Sequence, residues 1–565
     1  MGNRNFNRNS VQAHRRSYFS GICTPQRTPS KILLLFFALF AACKSAETTR
    51  SNDVFYLNIS SGYLESLDPA FAKDLNMMWL DHMLYNTLVE TDEQLRTVPS
   101  LAKKWEVDES GLTYTFHLRG DVFFQDNVLF PGGKGRLMKA QDVVYSFNRI
   151  VASKTASPGA WIFNGRVTTS DPFVAINDTT FQIHLRAPFR PLPEMLSMSY
   201  CSVVPHEVAE HWGKDFRNHP CGTGPFQLSY WDEGNALNLL RNPHYWEHDS
   251  TGRALPYLSA VQLSFVDSKA TEFLLFRQGK IDFVNGVDGS FKDLLLYKDG
   301  NLKKEFAGKF HLDKNTYLNT EYLGFLTDTA NDAMKDEPTK NQLVRQAINY
   351  AINRQKIVTY FKNGMEIPAT RGFIPAGMPG YDSGAHYGYD YDPAKALRLL
   401  AAAGYPNGKG LKPIKILVPN NFEDIVNFIA SELQEVGITV NIELIQPNIL
   451  KQQMSRSKAL FFRAQWLADY PDAETYLVFF NSRFPAPPNY TRFNNATFDK
   501  WYDESLNLPD TARWAMYRQM DSLVMSYAPV VPLYYERLYH FTQNSVSGFR
   551  SNPMNIIDIK RVKKR

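Results

Sequence analysis

The chain has 565 residues, 44% of them hydrophobic, 21% charged and 14% aromatic. That length exceeds what one hydrophobic core organises, so two to four domains are expected, and the composition is that of a globular protein. The formal charge of +5 misleads: residues 1–42 hold six basic residues and no acid, and setting them aside leaves 56 basic against 57 acidic. A near-neutral body gives no electrostatic reason to bind nucleic acid.

The first element is an address. Residues 1–31 are polar and basic, and Ile32–Ala42 is an apolar run of eleven residues ending at Cys43. A bilayer span needs about 20 apolar residues, so the run is too short to cross. A basic segment, a short apolar segment and small residues before a cut describe a signal peptide, cleaved after Ala42. The placement of Cys43 resembles a bacterial lipobox, with Phe40 where Leu is usual, and implies lipidation at Cys43. Lys44–Asn52 is polar enough to be a tether. Export leaves only Cys201 and Cys221 in the mature body. An oxidising compartment permits a disulfide between them, closing a loop worth roughly 3 kcal/mol; two buried thiols are the alternative.

Further along, Val54–Ile59 has the pattern of a strand. Leu80, Leu84 and Leu88 mark a helix over Asn76–Leu88, and Thr113–Leu118 alternates with period two. Gln141–Ile150 is helical and Val261–Phe265 extended. Past residue 316 helices and strands alternate. Asn341–Phe361 has the pattern of one long amphipathic helix. Asp392-Pro393 opens a helix that stops at Gly404. Ile414–Val418, Phe422–Val436 and Ile438–Leu444 form a βαβ unit. The basic tail from Lys560 to Arg565 is expected to be solvated.

Catalytic signatures are missing: there is no G-x-S-x-G, P-loop or G-x-G-x-x-G. His206 and His211 are five apart, roughly 140° around a helix, where a zinc motif needs four. Asp469, Asp472 and Glu474 have no histidine or nucleophile spaced to work with them. No enzyme, no metal and no cofactor is expected.

A set of ordered segments carries a resemblance. They are Leu67-Asp68-Pro69, Leu84 to Val89, Trp105, Gly111 to Arg119, Ala140 to Phe147, Gly222-Thr223-Gly224-Pro225-Phe226, Arg241 to Trp246, Val344 to Arg354 and Pro529 to Tyr534. Together they resemble the extracytoplasmic solute-binding proteins of peptide and nickel ABC importers. The resemblance implies an α/β fold of the two-lobe, type II periplasmic-binding kind with an extra subdomain. Lobe I would comprise 53–97, 218–315 and 526–565, its subdomain 98–217, and lobe II 316–525. The chain would cross between lobes near 315–320 and 522–527. It implies a monomeric receptor, lipid-anchored and facing the periplasm or cell exterior, that delivers short peptides to permease subunits. Other cargoes stay open: a nickel chelate, a sugar oligomer or a signalling peptide, with a peptidase more distant.

The segment Arg463 to Tyr470 resembles the oligopeptide binders, where an Asp takes the peptide ammonium and an Arg its carboxylate. That implies Asp469, Trp466 and Arg463 as ligand residues, with Tyr63 in the loop before Leu67. If 463–469 is a strand, Arg463, Gln465, Leu467 and Asp469 share a face. Opposite charges along a cleft suit a zwitterion of three or four residues, and backbone groups between them read any peptide. Asn420-Asn421 stands where dipeptide-binding relatives place an Arg, which favours longer peptides.

Overall fold

The computed structural model describes residues 51–59, 64–287 and 289–565. The leader, Cys43 and Tyr63 therefore lie outside the described residues. From Asn52 to Arg565 the chain forms one compact unit built on three larger sheets.

The first sheet orders Val54–Ile59, Ala260–Phe265, Ala236–Arg241 and Phe226–Asp232, its first pair parallel and the rest antiparallel. The second lies wholly within 98–217: Ala102–Val107, Thr113–Leu118, Thr180–His184 and Phe173–Asn177, all antiparallel. Helix Ala140–Val151 packs on it through Phe147, whose ring meets Phe163, Phe173 and Phe181.

The third sheet has seven strands. Its spine is an antiparallel pair of long strands, Phe310–Phe325 and Val530–Gln543, with the short strand Phe283–Asn285 at one end of the latter and Phe461–Leu467 beside the former. Ile414–Val418 and Val440–Leu444 follow in parallel, joined by helix Glu423–Glu435 as the βαβ pattern requires. Apolar residues on the two faces feed separate cores. Leu318, Tyr322, Phe462 and Ala464 enter one, and Leu323, Phe325, Phe461 and Val531 the other.

Local chemistry explains several boundaries. Asp392 accepts from Lys395 N at 2.8 Å and Gly404 ends the helix at φ 92°. The helix expected over Asn341–Phe361 is broken after Ala351, where Ile352 and Asn353 leave helical geometry and Asn353 caps a new turn. The break lets the buried Arg354 guanidinium donate to Pro532 O, Asn349 O and Asn349 Oδ1. A long helix would have carried Arg354 past those acceptors. Gly222 and Gly224 act by close approach rather than by turn geometry: a Cβ on Gly224 would lie 2.4 Å from Leu84 C and 2.5 Å from Tyr85 N.

Two further expectations are corrected. Cys201 and Cys221 are both buried and free. Their thiols approach different carbonyls, Met195 O at 3.9 Å and Gln125 O at 3.6 Å. Burial pushes both up, Cys221 to about 12, so neither thiolate is available. The basic tail is folded in. Lys560 bridges Glu90 and Glu247, while the almost fully buried Lys564 pairs with Asp282 at 2.9 Å. Those acids need counter-charges that a solvated tail would not supply. Residues 522–527, where the second crossing between lobes is expected, are the end of helix Asp510–Tyr527. The chain passes alongside Phe310–Phe325 later, in Val530–Gln543.

Candidate functional site

The strand Phe461–Leu467 pairs antiparallel with Phe310–Phe325, placing Leu323 opposite Arg463, Glu321 opposite Gln465, Thr320 opposite Trp466 and Asn319 opposite Leu467. Alternation sends Arg463 and Gln465 to one face and Trp466 to the other. Asp469 lies beyond the ladder, so it does not share the face of Arg463 as the sequence pattern suggests.

On the Trp466 face, Asp469 and Trp466 converge on one side chain. Thr475 Oγ1 accepts from Trp466 Nε1 and from Asp469 N, each at 3.4 Å. The Trp466 ring stands edge-on to Phe479 with centroids 4.2 Å apart. Thr475 is held by the helix Glu474–Leu477, whose first N–H donates to Asp472 Oδ1 at 2.9 Å. Asp472 thus has the capping role, and it also pairs with the buried Arg513 at 2.9 Å. That leaves Asp469 without a structural task. Among the described residues no side chain hydrogen-bonds or ion-pairs with its carboxylate.

Asp469 is open to solvent, yet the protein around it displaces enough water to perturb it. Burial first, then the neighbouring Glu474, pushes its carboxyl up to about 7. Glu474 is itself fully buried and accepts from the phenols of Tyr470 and Tyr502. Tyr470 reaches across to the segment 98–217, its ring 6.3 Å from Trp161. Tyr200 of that segment is close enough for Asp469 to raise its phenol, after burial, to about 12. The exposed Asp469 carboxylate therefore lies where the large sheet meets the segment 98–217, close enough to act on the phenols of Tyr200 and Tyr476 and without an ion-pair partner among the described residues.

Arg463 is engaged elsewhere. Its guanidinium grips Glu321 in a two-point ion pair, donates to Gln465 Oε1 at 2.7 Å and lies over the Phe422 ring. Glu321 is 1% exposed, and burial outweighs Arg463 to hold it at about 7. An acid buried that deeply requires the cation, so here the Arg463 guanidinium, expected to meet a ligand carboxylate, is engaged by Glu321. The structure brings together Asp469 and Trp466; it does not bring Arg463 to them. Sequence reasoning missed Thr475, Tyr200 and Glu321. Only Thr475 carried a signal, as a hydroxyl six residues after Asp469.

Asn420 and Asn421 form a short turn between strand Ile414–Val418 and helix Glu423–Glu435. His206 and His211 ride an exposed helix, His206–Trp212, and among the described residues no three His, Cys, Asp or Glu side chains could hold a metal ion.

Comparison with known proteins fits this architecture. The glutathione-binding protein GsiB of Shigella dysenteriae serotype 1 (strain Sd197) is 25% identical over 523 residues, 91% of this chain and 94% of that one. The ABC transporter-associated periplasmic binding protein DppA from Helicobacter pylori was solved in complex with the peptide STSA. It superimposes with a TM-score of 0.70 at 25% identity, covering 90% of this chain and 98% of its own. HbpA2 from Haemophilus parasuis shares the fold, with a TM-score of 0.78 at 23% identity over 91% and 100% of the two chains. The family model "Bacterial extracellular solute-binding proteins, family 5 Middle" matches residues 96–487, and the chain belongs to that family of solute-binding proteins.

Proposed function

We propose that this protein is an exported receptor that captures short peptides by their free amino end at Asp469 and delivers them to an ABC importer. The observation that carries the reading is the unpartnered Asp469 carboxylate, which shares Thr475 with Trp466. A carboxylate accepts but cannot donate, and an ammonium group supplies charge and three donors together. Bringing that ammonium in relieves the cost of a desolvated, unpaired acid. Trp466, with the Phe479 ring behind it, offers a flat wall to the first residues of the peptide.

Lobe movement has a natural axis. The ladder between the two long strands lapses between Thr316/Arg537 and Thr320/Tyr535, and a bulge is where a strand pair bends most readily. The hinge belongs there, with lobe I on the side of Val54–Ile59 and lobe II on the side of Ile414–Val418. Ligand bridging the lobes shifts the population toward the closed form. Among the described residues no helix is long and apolar enough to cross a membrane, and anchoring is assigned to lipid on Cys43. The receptor acts as a monomer.

Calorimetry with trialanine, glutathione and N-acetyl-trialanine tests the reading. The free-amine peptides bind, acetylation removes the ammonium and costs about a hundredfold, and Asp469→Asn costs as much for trialanine while making acetylation nearly neutral. Equal affinity for the acetylated and free peptides would refute it. Mass spectrometry of the recovered ligand should show it intact; cleavage products would favour a peptidase.

A further inference from the structure

The first sheet ends on a free edge. Phe226–Asp232 pairs with Ala236–Arg241 on one side and with no strand on the other. Its register shifts between Leu228 and Tyr230, and a bulge on an edge strand blocks the addition of a further strand. Leu228 and Trp231 both pack against the core of this sheet, while Tyr230 stays 52% exposed. Beside the edge lies a cavity of about 600 Å³, within the range of small-ligand sites. Gln227 to Trp231 line it from the strand, and residues 125–128, Trp212 and 218–220 supply the rest.

The lining is aromatic and short of usable charge. The Trp212 ring is stacked on His219, centroids 3.5 Å apart and 4° from parallel. His219 Nδ1 lies 2.9 Å from Asp215 O, which holds that wall in place. Tyr230 and Trp231 add two more rings. Among the described residues no lysine or arginine lines the cavity, so a ligand carboxylate finds no cation. Its two acids are already engaged. Asp126 accepts from Lys134 at 2.8 Å and from Gly135 N at 2.9 Å, and Glu233 pairs with Arg217 at 3.0 Å.

What stays open is neutral hydrogen-bonding capacity of both kinds. Trp231 Nε1, a donor, and Asn218 Oδ1, an acceptor, are buried without a partner. The side chains of Gln227, Ser229 and Tyr230 make no hydrogen bond among the described residues. A hydroxyl donates and accepts at once and answers both kinds, whereas an ion answers one. Water answers both too, but it has no apolar face to set against the rings.

We propose that this cavity binds an uncharged sugar of one or two rings. Its C–H face lies against Tyr230 and the Trp212–His219 wall, since the negative face of an aromatic ring attracts polarised C–H groups. Its hydroxyls are held by Gln227, Ser229 and Asn218. The site belongs to the first sheet, whereas Trp466 stands on the third, so sugar and peptide bind independently.

Saturation-transfer NMR of the intact protein with maltose, cellobiose and N,N′-diacetylchitobiose tests it, followed by titration of any sugar that binds. At least one should show transfer to its ring C–H protons. Tyr230→Ala and Gln227→Ala should each weaken that sugar about tenfold and leave trialanine affinity unchanged. Trialanine should not displace the sugar. If none of the three sugars binds, or if binding survives both variants, the site is wrong and the receptor reading is untouched. Displacement of the sugar by trialanine would place it in the peptide site and overturn the assignment.

Discussion

The proposed role of Asp469 makes peptide affinity depend on pH in a calculable way. With its carboxyl at about 7 in the free protein, half the molecules hold the ionised form at pH 7, about a tenth at pH 6 and about a hundredth at pH 5. Only the ionised form pairs with an ammonium group, and apparent affinity scales with the competent fraction. Lowering the pH below 7 should therefore weaken binding about tenfold per unit, roughly 1.4 kcal/mol. The slope continues until it reaches the depressed value Asp469 has in the complex. Above pH 8 the peptide ammonium, with a pKa near 8, begins to lose its proton, so affinity peaks between about 7 and 8. Calorimetric titration of trialanine at half-unit steps from pH 5 to 9, in buffers matched for ionic strength, reads the curve. Asp469→Asn should bind weakly and without the acid limb. A dissociation constant that stays constant from pH 5 to 7 would refute the reasoning. So would an acid limb surviving in Asp469→Asn, because another buried acid would then be the titrating group.

Other outcomes follow from packing and charge. Gly224→Ala drives a Cβ into the backbone of Leu84 and Tyr85 and should cost about 1–3 kcal/mol, read as a lower urea midpoint; an unchanged midpoint would contradict the close approach. Arg463→Met strands Glu321, and with burial holding that acid at about 7 the cost depends on pH. At pH 8 it should reach about 3 kcal/mol. Near pH 5, where Glu321 takes up a proton, it should be much smaller, and a pH-independent cost would contradict the pairing. Protein cleaved before Cys43's successor residues and unfolded under non-reducing conditions should titrate two thiols from Cys201 and Cys221 with a thiol reagent; none would restore the disulfide.

Much of the fold was legible because its signals are local. Period-two alternation marked Thr113–Leu118 residue for residue, and Asp392 with Gly404 bounded their helix by side-chain and φ chemistry. The βαβ unit followed from two apolar runs around one amphipathic helix. What escaped depends on distant partners. The helix break at Ile352 serves Arg354, whose acceptor Pro532 is 178 residues away. The tail was misjudged because Lys564 meets Asp282 only in the folded chain. At the site, the spacing of Arg463, Trp466 and Asp469 singled out a segment in which the fold brings Trp466 and Asp469 together on Thr475. Strand alternation was extended two residues too far, and it put Arg463 and Asp469 on one face. Glu321, which claims Arg463, lies 142 residues away on another strand, beyond the reach of any spacing argument.

The central claim is that Asp469 neutralises the amino end of a captured peptide. A crystal structure of the protein with bound trialanine tests it most directly. The account predicts the peptide nitrogen within about 2.7–3.1 Å of an Asp469 carboxylate oxygen, with Trp466 alongside. A peptide bound with its amino end elsewhere, and Asp469 turned toward solvent, would contradict it.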